Sequence, residues 1–254
     1  MRSWLKLFTA CMLVLLVVAS CGPSKEQLIR QSKAERELGK QYMLAGNYTL
    51  ALKHLLDAEK LYPDDHILQN YIGQVYFLKE SYDRSIEHFE KALELKPDYA
   101  VARNNLGAVY LTMKEWDKAI EVFSALSGDL LYATPHFPQY NLGRAYYGKK
   151  QYSVAEQYFK KALKMEPNFS QALWGLGLTY LATGRNGEAV AALSGAVDIS
   201  PDFAQAHFDL GRAYLKLRNY RNAKEAFGRV ATLRPDTDIG RESKRVLEQL
   251  KHVR

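Results

Sequence analysis

The chain has 254 residues, 47% of them hydrophobic, 25% charged and 12% aromatic, proportions ordinary for a soluble globular chain. Its two cysteines, Cys11 and Cys21, both lie in the first 21 residues, which excludes a disulfide framework, a cysteine zinc site and a thiol nucleophile from the mature body. The net charge is +7, and removal of Arg2 and Lys6 with a leader leaves +5, a mild excess spread over a large surface. That excess reads either as a solvated face or as attraction to an anionic partner or membrane surface.

Residues 1–20 read as a leader: a short basic start with Arg2 and Lys6, then an apolar run through Val18 that is too short for a stop-transfer helix. The run ends in Val18-Ala19-Ser20-Cys21, which resembles the bacterial lipobox. The resemblance implies cleavage before Cys21 and attachment of acyl chains such as palmitate to it; the other reading is a secretory peptide with an incidental cysteine. Cys11 lies too early in the apolar run to be the lipidated residue. Gly22, where an Asp would imply inner-membrane retention, implies an outer-membrane address facing the periplasm. Several acyl chains on one cysteine anchor stably, since each buried methylene contributes about 0.8 kcal/mol. Residues 21–31 are then the lipidated cysteine and a short lead into the first helix, with Ser24 and Gln27 spaced as a capping box. Only about three residues, roughly 10 Å extended, separate lipid from fold.

From there one phrase, Leu-Gly-x-x-Tyr, recurs six times, with Ile in place of Leu once. Its glycines are Gly39, Gly73, Gly107, Gly143, Gly177 and Gly211, stepping by 34 residues except for one step of 36. Twelve residues after each glycine stands a small residue: Ala51, Ser85, Ala119, Ala155, Ala189 or Ala223. A fixed period of this size marks a stacked repeat. The glycine and the small residue fit a close crossing of two antiparallel helices, and the Leu and Tyr, four apart, fill the space beside it. Pro63, Pro97, Pro167, Pro201 and Pro235 end the second helices. The residues after them (Asp64, Asp98, Asn168, Asp202, Asp236) are expected to cap the helices that follow. The expected pairs are 25–45 with 48–61, 64–79 with 82–95, 98–113 with 116–127, 136–149 with 152–165, 168–183 with 186–199, and 202–217 with 220–233.

The unit, with Phe89, Phe159 or Phe227 and Ala58, Ala92 or Ala162 in its second helix, resembles the tetratricopeptide repeat (TPR). The resemblance implies an all-α, right-handed superhelical solenoid of six helix–turn–helix units over 32–237 (32–65, 66–99, 100–135, 136–169, 170–203, 204–237). A terminal helix in 238–254, with Ile239, Val246 and Leu250, caps the last unit. Such an array is a protein-binding surface and specifies no chemistry by itself.

The third unit departs from the pattern in an apolar stretch, 128–138, containing Leu130, Leu131, Tyr132 and Phe137 with two prolines and a glycine. It reads either as a lengthened turn tucked between repeats or as a partner-contact loop. With the lipobox, the six units and Asn141-Leu142-Gly143 followed by Tyr146-Tyr147, it resembles the type IV pilus biogenesis lipoproteins, the PilF, PilW and Tgl pilotins. That resemblance implies a protein partner, the outer-membrane secretin, whose localisation or multimerisation the chain supports.

The TPR resemblance also implies a groove lined by first-helix residues. Carried over, its positions give Arg36, Lys40, Asn70, Phe77, Asn104, Tyr140, Arg144, Tyr147, Trp174, Phe208 and Arg212. The groove is expected to be basic in the first unit, to offer asparagines in the second and third, and aromatics in the last three. Aromatics with Arg are the types that dominate interface hot spots, though each could instead pack between neighbouring repeats. A carboxylate clamp is put in doubt because the third unit has Val101 and no second cation at the expected place beyond Arg103. No metal-binding His pair or phosphate loop occurs, so no cofactor, metal, nucleic acid or small-molecule substrate is expected, and no enzyme. The alternative function is a periplasmic TPR scaffold for cell-wall enzymes or exopolysaccharide export.

Overall fold

A computed structural model describes residues 23–127 and 134–251, which hold thirteen α-helices and no strand. Cys21, Leu130, Leu131 and Tyr132 lie outside the described residues. The chain divides into two compact units, one up to residue 102 and one from residue 103. The first holds α1 (Lys25–Leu44), α2 (Tyr48–Leu61), α3 (His66–Leu78), α4 (Tyr82–Leu95) and the start of α5 (Ala100–Thr112). The second holds the rest of α5, α6 (Trp116–Ser127), α7 (His136–Gly148), α8 (Tyr152–Met165) and α9 (Ser170–Ala182). It continues with α10 (Asn186–Ile199), α11 (Ala204–Lys216), α12 (Tyr220–Leu233) and α13 (Asp238–Gln249). The helices form six helix–turn–helix repeats plus one terminal helix, the all-α solenoid arrangement.

The repeated glycine is required by a side chain sixteen residues on. A methyl group on Gly107 would lie 2.5 Å from Phe123, one on Gly143 2.7 Å from Phe159, and one on Gly211 2.8 Å from Phe227. In the first and fifth repeats the neighbour is Leu55 or Leu193 instead. The small residues twelve on are fully buried, and Ser85 donates its hydroxyl to the Gly73 carbonyl at 2.8 Å. The leucine of the phrase reaches further than its own pair. Leu176 joins the cluster of Ala155 and Phe159 from the repeat before it, and Ile72 that of Ala51 and Leu55. Leu38, with no earlier repeat among the described residues, is 41% exposed.

Helix starts differ from expectation. α3, α5, α9 and α11 begin two residues later than 64, 98, 168 and 202. The residue after each proline is not the cap: Asp65, Phe169, Phe203 and Thr237 hold the cap positions of α3, α9, α11 and α13. The cause lies in the prolines, which force the residue before them into extended backbone. Tyr62, Lys96, Glu166 and Ser200 all adopt φ between −152° and −129°. The chain then needs two residues to turn back. Phe169 and Phe203 at the caps become packing groups, Phe203 lying 5.6 Å from Trp174 and Phe169 5.1 Å from Tyr140. At the other end of α1's sequence signal, Ser24 and Gln27 form the expected reciprocal capping box.

The turn inside every repeat passes through left-handed backbone at one equivalent position, seven residues after the repeat glycine. Gly46 and Gly184 stand there with φ of +76° and +74°, but Glu80, Lys114, Lys150 and Arg218 stand there with φ of 56° to 61°. α13 closes the array as expected: Ile239, Val246 and Leu250 pack on Phe227 and Val230. It comes so close that a methyl group on Gly240 would lie 1.8 Å from the Arg234 carbonyl oxygen.

Candidate protein-binding site

In the first unit, groove candidates are tied up by their neighbours. Arg36 is part-buried against Asp65, its Nη1 2.5 Å from the carboxylate, with Glu37 at 3.1 Å, so the charge is neutralised across the first two repeats. Lys40 lies 5.8 Å over the Tyr71 ring, and that tyrosine together with Glu37 holds its ammonium above the usual lysine range. Asn70 is buried, and Phe77 is half-buried beside Tyr82. Arg36 and Lys40, expected to make the groove basic at its first repeat, are thus both ion-paired.

The second unit brings Tyr140, Arg144, Tyr147 and Trp174 together. α7 presents the first three on successive turns and α9 the fourth, and with Leu111, Trp116, Phe159 and Leu178 they line a cavity of about 280 Å³. Two glycines make it possible. A methyl on Gly148 would lie 2.8 Å from the Trp116 ring, and one on Gly175 2.6 Å from Phe159. Burial raises the hydroxyl pKa of both Tyr140 and Tyr147, and Arg144 opposes this at Tyr140. The Arg144 guanidinium is exposed and lies 5.7 Å over the Tyr140 ring, a cation at the rim of an aromatic wall.

One carboxylate fixes the far wall. Asp209, with 2% of its side chain exposed, accepts from Trp174 Nε1 at 2.9 Å, from Arg212 Nη1 at 2.8 Å and from Gln205 Nε2 at 3.2 Å. Its charge also helps hold Tyr147 above the usual tyrosine range, behind the larger effect of burial and that of Tyr152. Arg212 is therefore part of the frame. Phe208 is buried edge-to-face on Phe227 at 5.6 Å and belongs to the core. Asn104 has a buried, unpartnered side-chain oxygen among the described residues and does not line the cavity. Phe137, 38% exposed in the first turn of α7, packs on Phe169 at 5.2 Å.

Trp116, Gly148, Phe159 and Asp209 also build the site, at positions outside the first-helix groove pattern of the repeat. A signal for two of them existed. The second helix opens with Tyr48, Tyr82, Tyr152 and Tyr220 in four repeats, and Trp116 is the larger exception. Gly148 stands where the other repeats carry Leu44, Leu78, Thr112, Ala182 and Lys216. A larger ring in one helix and a vanished side chain on its neighbour form one complementary change.

The apolar, aromatic cavity with a cation at its rim lies between first helices of successive repeats, within a helical-repeat scaffold of the protein-binding class. The chain belongs to the tetratricopeptide-repeat proteins: models described as tetratricopeptide or TPR repeats match residues 73–114, 140–203 and 180–240, together more than half of it. No protein of curated function matches it in sequence. Among solved structures it is similar to PilW, described as a widely conserved type IV pilus biogenesis factor, with a TM-score of 0.75 and 23% identity over 83% of this chain and 97% of that one. It is also similar to Pseudomonas aeruginosa pilF, with a TM-score of 0.71 and 19% identity over 85% of this chain and 98% of that one. The Cut9–Hcn1 assembly of the APC/C gives a TM-score of 0.71 at 15% identity, covering 86% of this chain but 42% of that one. Identities this low establish the shared fold.

Proposed function

We propose that the chain is a non-enzymatic, lipid-anchored pilotin of the outer membrane that holds a hydrophobic segment of the type IV pilus secretin before and during its multimerisation. The observation that carries the reading is a likeness that takes in most of both partners at once: 83% of this chain and 97% of PilW at a TM-score of 0.75, and 85% of this chain and 98% of pilF at 0.71. Val18-Ala19-Ser20-Cys21 supports the lipid anchor, with Cys21 as the acylated residue. The cavity between Trp116, Tyr147 and Trp174 supports the capture of one bulky apolar side chain, with Arg144 at the rim. Burying such an anchor in a desolvated pocket is how a few residues come to dominate an interface.

The test is deletion of the gene, with heat-resistant secretin multimers measured in outer-membrane fractions and complementation by wild type, Cys21→Ala and Trp174→Ala. Loss of multimers while monomer persists, with poor rescue by either variant, is the expected result. Normal multimers and normal pili in the deletion strain would overturn the reading and leave a scaffold for cell-wall enzymes or exopolysaccharide export.

A further inference from the structure

The net charge is not spread over the chain. Residues 1–211 carry 23 basic and 23 acidic side chains, while residues 212–254 carry 12 basic and 5 acidic, so the last 43 residues hold the entire excess of +7. Arginine dominates there, with eight of the chain's fifteen.

The fold keeps these charges on the outside. α13 turns Ile239, Val246 and Leu250 onto α12, which leaves Arg241, Lys244 and Arg245 exposed on its outer side. Lys216, Arg218 and Arg221 are exposed at the turn into α12, and Arg229 and Arg234 along and beyond it. Earlier in the chain some cations reach acids on neighbouring elements, Arg36 meeting Asp65, Lys91 meeting Glu59 and Arg185 meeting Glu156, while others such as Lys53, Lys79 and Lys164 are exposed among a matching number of acids. Among the described residues, Lys216, Arg218, Arg221, Arg229, Arg234 and Arg245 have no ion pair. Two of these choices run against local stability. Arg218 occupies left-handed backbone at φ 56°, and Arg221 sits in the first turn of α12, where the helix dipole repels a cation.

We propose that this C-terminal end, α12 and α13 with the turn before them, is a docking surface for the anionic headgroups of a phospholipid bilayer. Charge complementarity selects the occupant. Arginine forks pair with phosphate oxygens two at a time. A protein partner would need an apolar anchor as well, and among the described residues the one large hydrophobic side chain exposed near the cluster is Leu217. No helix among the described residues is long and apolar enough to cross a membrane. A basic patch joined to a lipid chain is also the pairing that gives stable membrane attachment, although the surface does not depend on acylation of Cys21.

The experiment is cosedimentation of the purified full chain with vesicles of phosphatidylcholine alone and of phosphatidylcholine with 30% phosphatidylglycerol. An acyl chain or apolar run contributes equally to both, and the charges of Arg2 and Lys6 are the same in every variant, so the change in the affinity ratio between variants isolates the C-terminal charges. The ratio is expected to be large at low salt and to collapse at high salt. Each cation near such a surface contributes about 1 kcal/mol, so Arg218→Gln/Arg221→Gln/Arg245→Gln should lower the ratio by roughly a hundredfold at low salt. A charge-matched control from the balanced region, Lys53→Gln/Lys79→Gln/Lys164→Gln, should leave most of the preference intact. Equal binding to both vesicles, or equal loss in both triple variants, would overturn the proposal and turn the search to an acidic protein segment.

Discussion

Replacing Asp209 tests whether the far wall of the cavity is held by one buried carboxylate. In Asp209→Ala, Trp174 Nε1, Arg212 and Gln205 all lose an acceptor lying 2.8 to 3.2 Å away. Arg212 is half-exposed and recovers water. The indole N–H, part-buried against Phe203, does not recover it fully. An unsatisfied buried donor costs about 1–3 kcal/mol, and the lost charge-assisted bonds bring the total for alanine to roughly 3 kcal/mol. Asp209→Asn keeps an acceptor for the indole and should cost about 1–2 kcal/mol less. Urea unfolding followed by tryptophan fluorescence and circular dichroism measures both values. A second readout is electrostatic: with the carboxylate gone and Arg212 still present, the Tyr147 hydroxyl titrates at lower pH than in the wild type. Equal stabilities for Ala, Asn and wild type, with an unmoved tyrosine titration, would refute the idea that Asp209 organises the wall.

Two further outcomes follow from backbone and protonation. Lys150→Gly should stabilise by about 0.5–1 kcal/mol, because relief of left-handed strain of about 1–2 kcal/mol outweighs the extra chain entropy of glycine, and Gly184→Ala should destabilise by about 1 kcal/mol; opposite signs in thermal melts are the check, and two losses would contradict the strain argument. Burial holds His88, packed near Glu59 and Lys91, and His207, against the Pro201 carbonyl, below the usual histidine value. Their unfolded forms therefore take up protons first, so their contribution to stability is complete above about pH 6.5 and is lost as pH falls through that value toward the folded pKa. Urea midpoints at pH 7.5 and 5 should differ less in His88→Gln/His207→Gln than in wild type, and an unchanged difference would remove histidine from the acid sensitivity.

Much of the fold was legible because each repeat enforces itself locally. Gly107 must face Phe123 sixteen residues on, and the same pair recurs down the chain, so period alone reveals the pairing. The cap positions were not legible. Asp98 or Asn168 is a good cap by residue type, but the proline before it constrains the residue upstream and pushes the helix start onward.

The site divides along the same line. Carrying the repeat pattern along the chain picked out Tyr140, Arg144, Tyr147 and Trp174, because equivalent first-helix positions face the same side of neighbouring repeats. It also picked out Arg36 and Phe208, whose surroundings it could not see: Asp65 stands 29 residues from Arg36, and Phe227 takes up one side of Phe208. The sequence by itself determined the repeat, its period and the composition of the faces, since those depend on spacing within a helix pair. Only the tertiary structure decided which faces remain open. Whether a ring lines a cavity or fills a core, and whether a cation is free or paired, depends on what the adjacent repeat places opposite it.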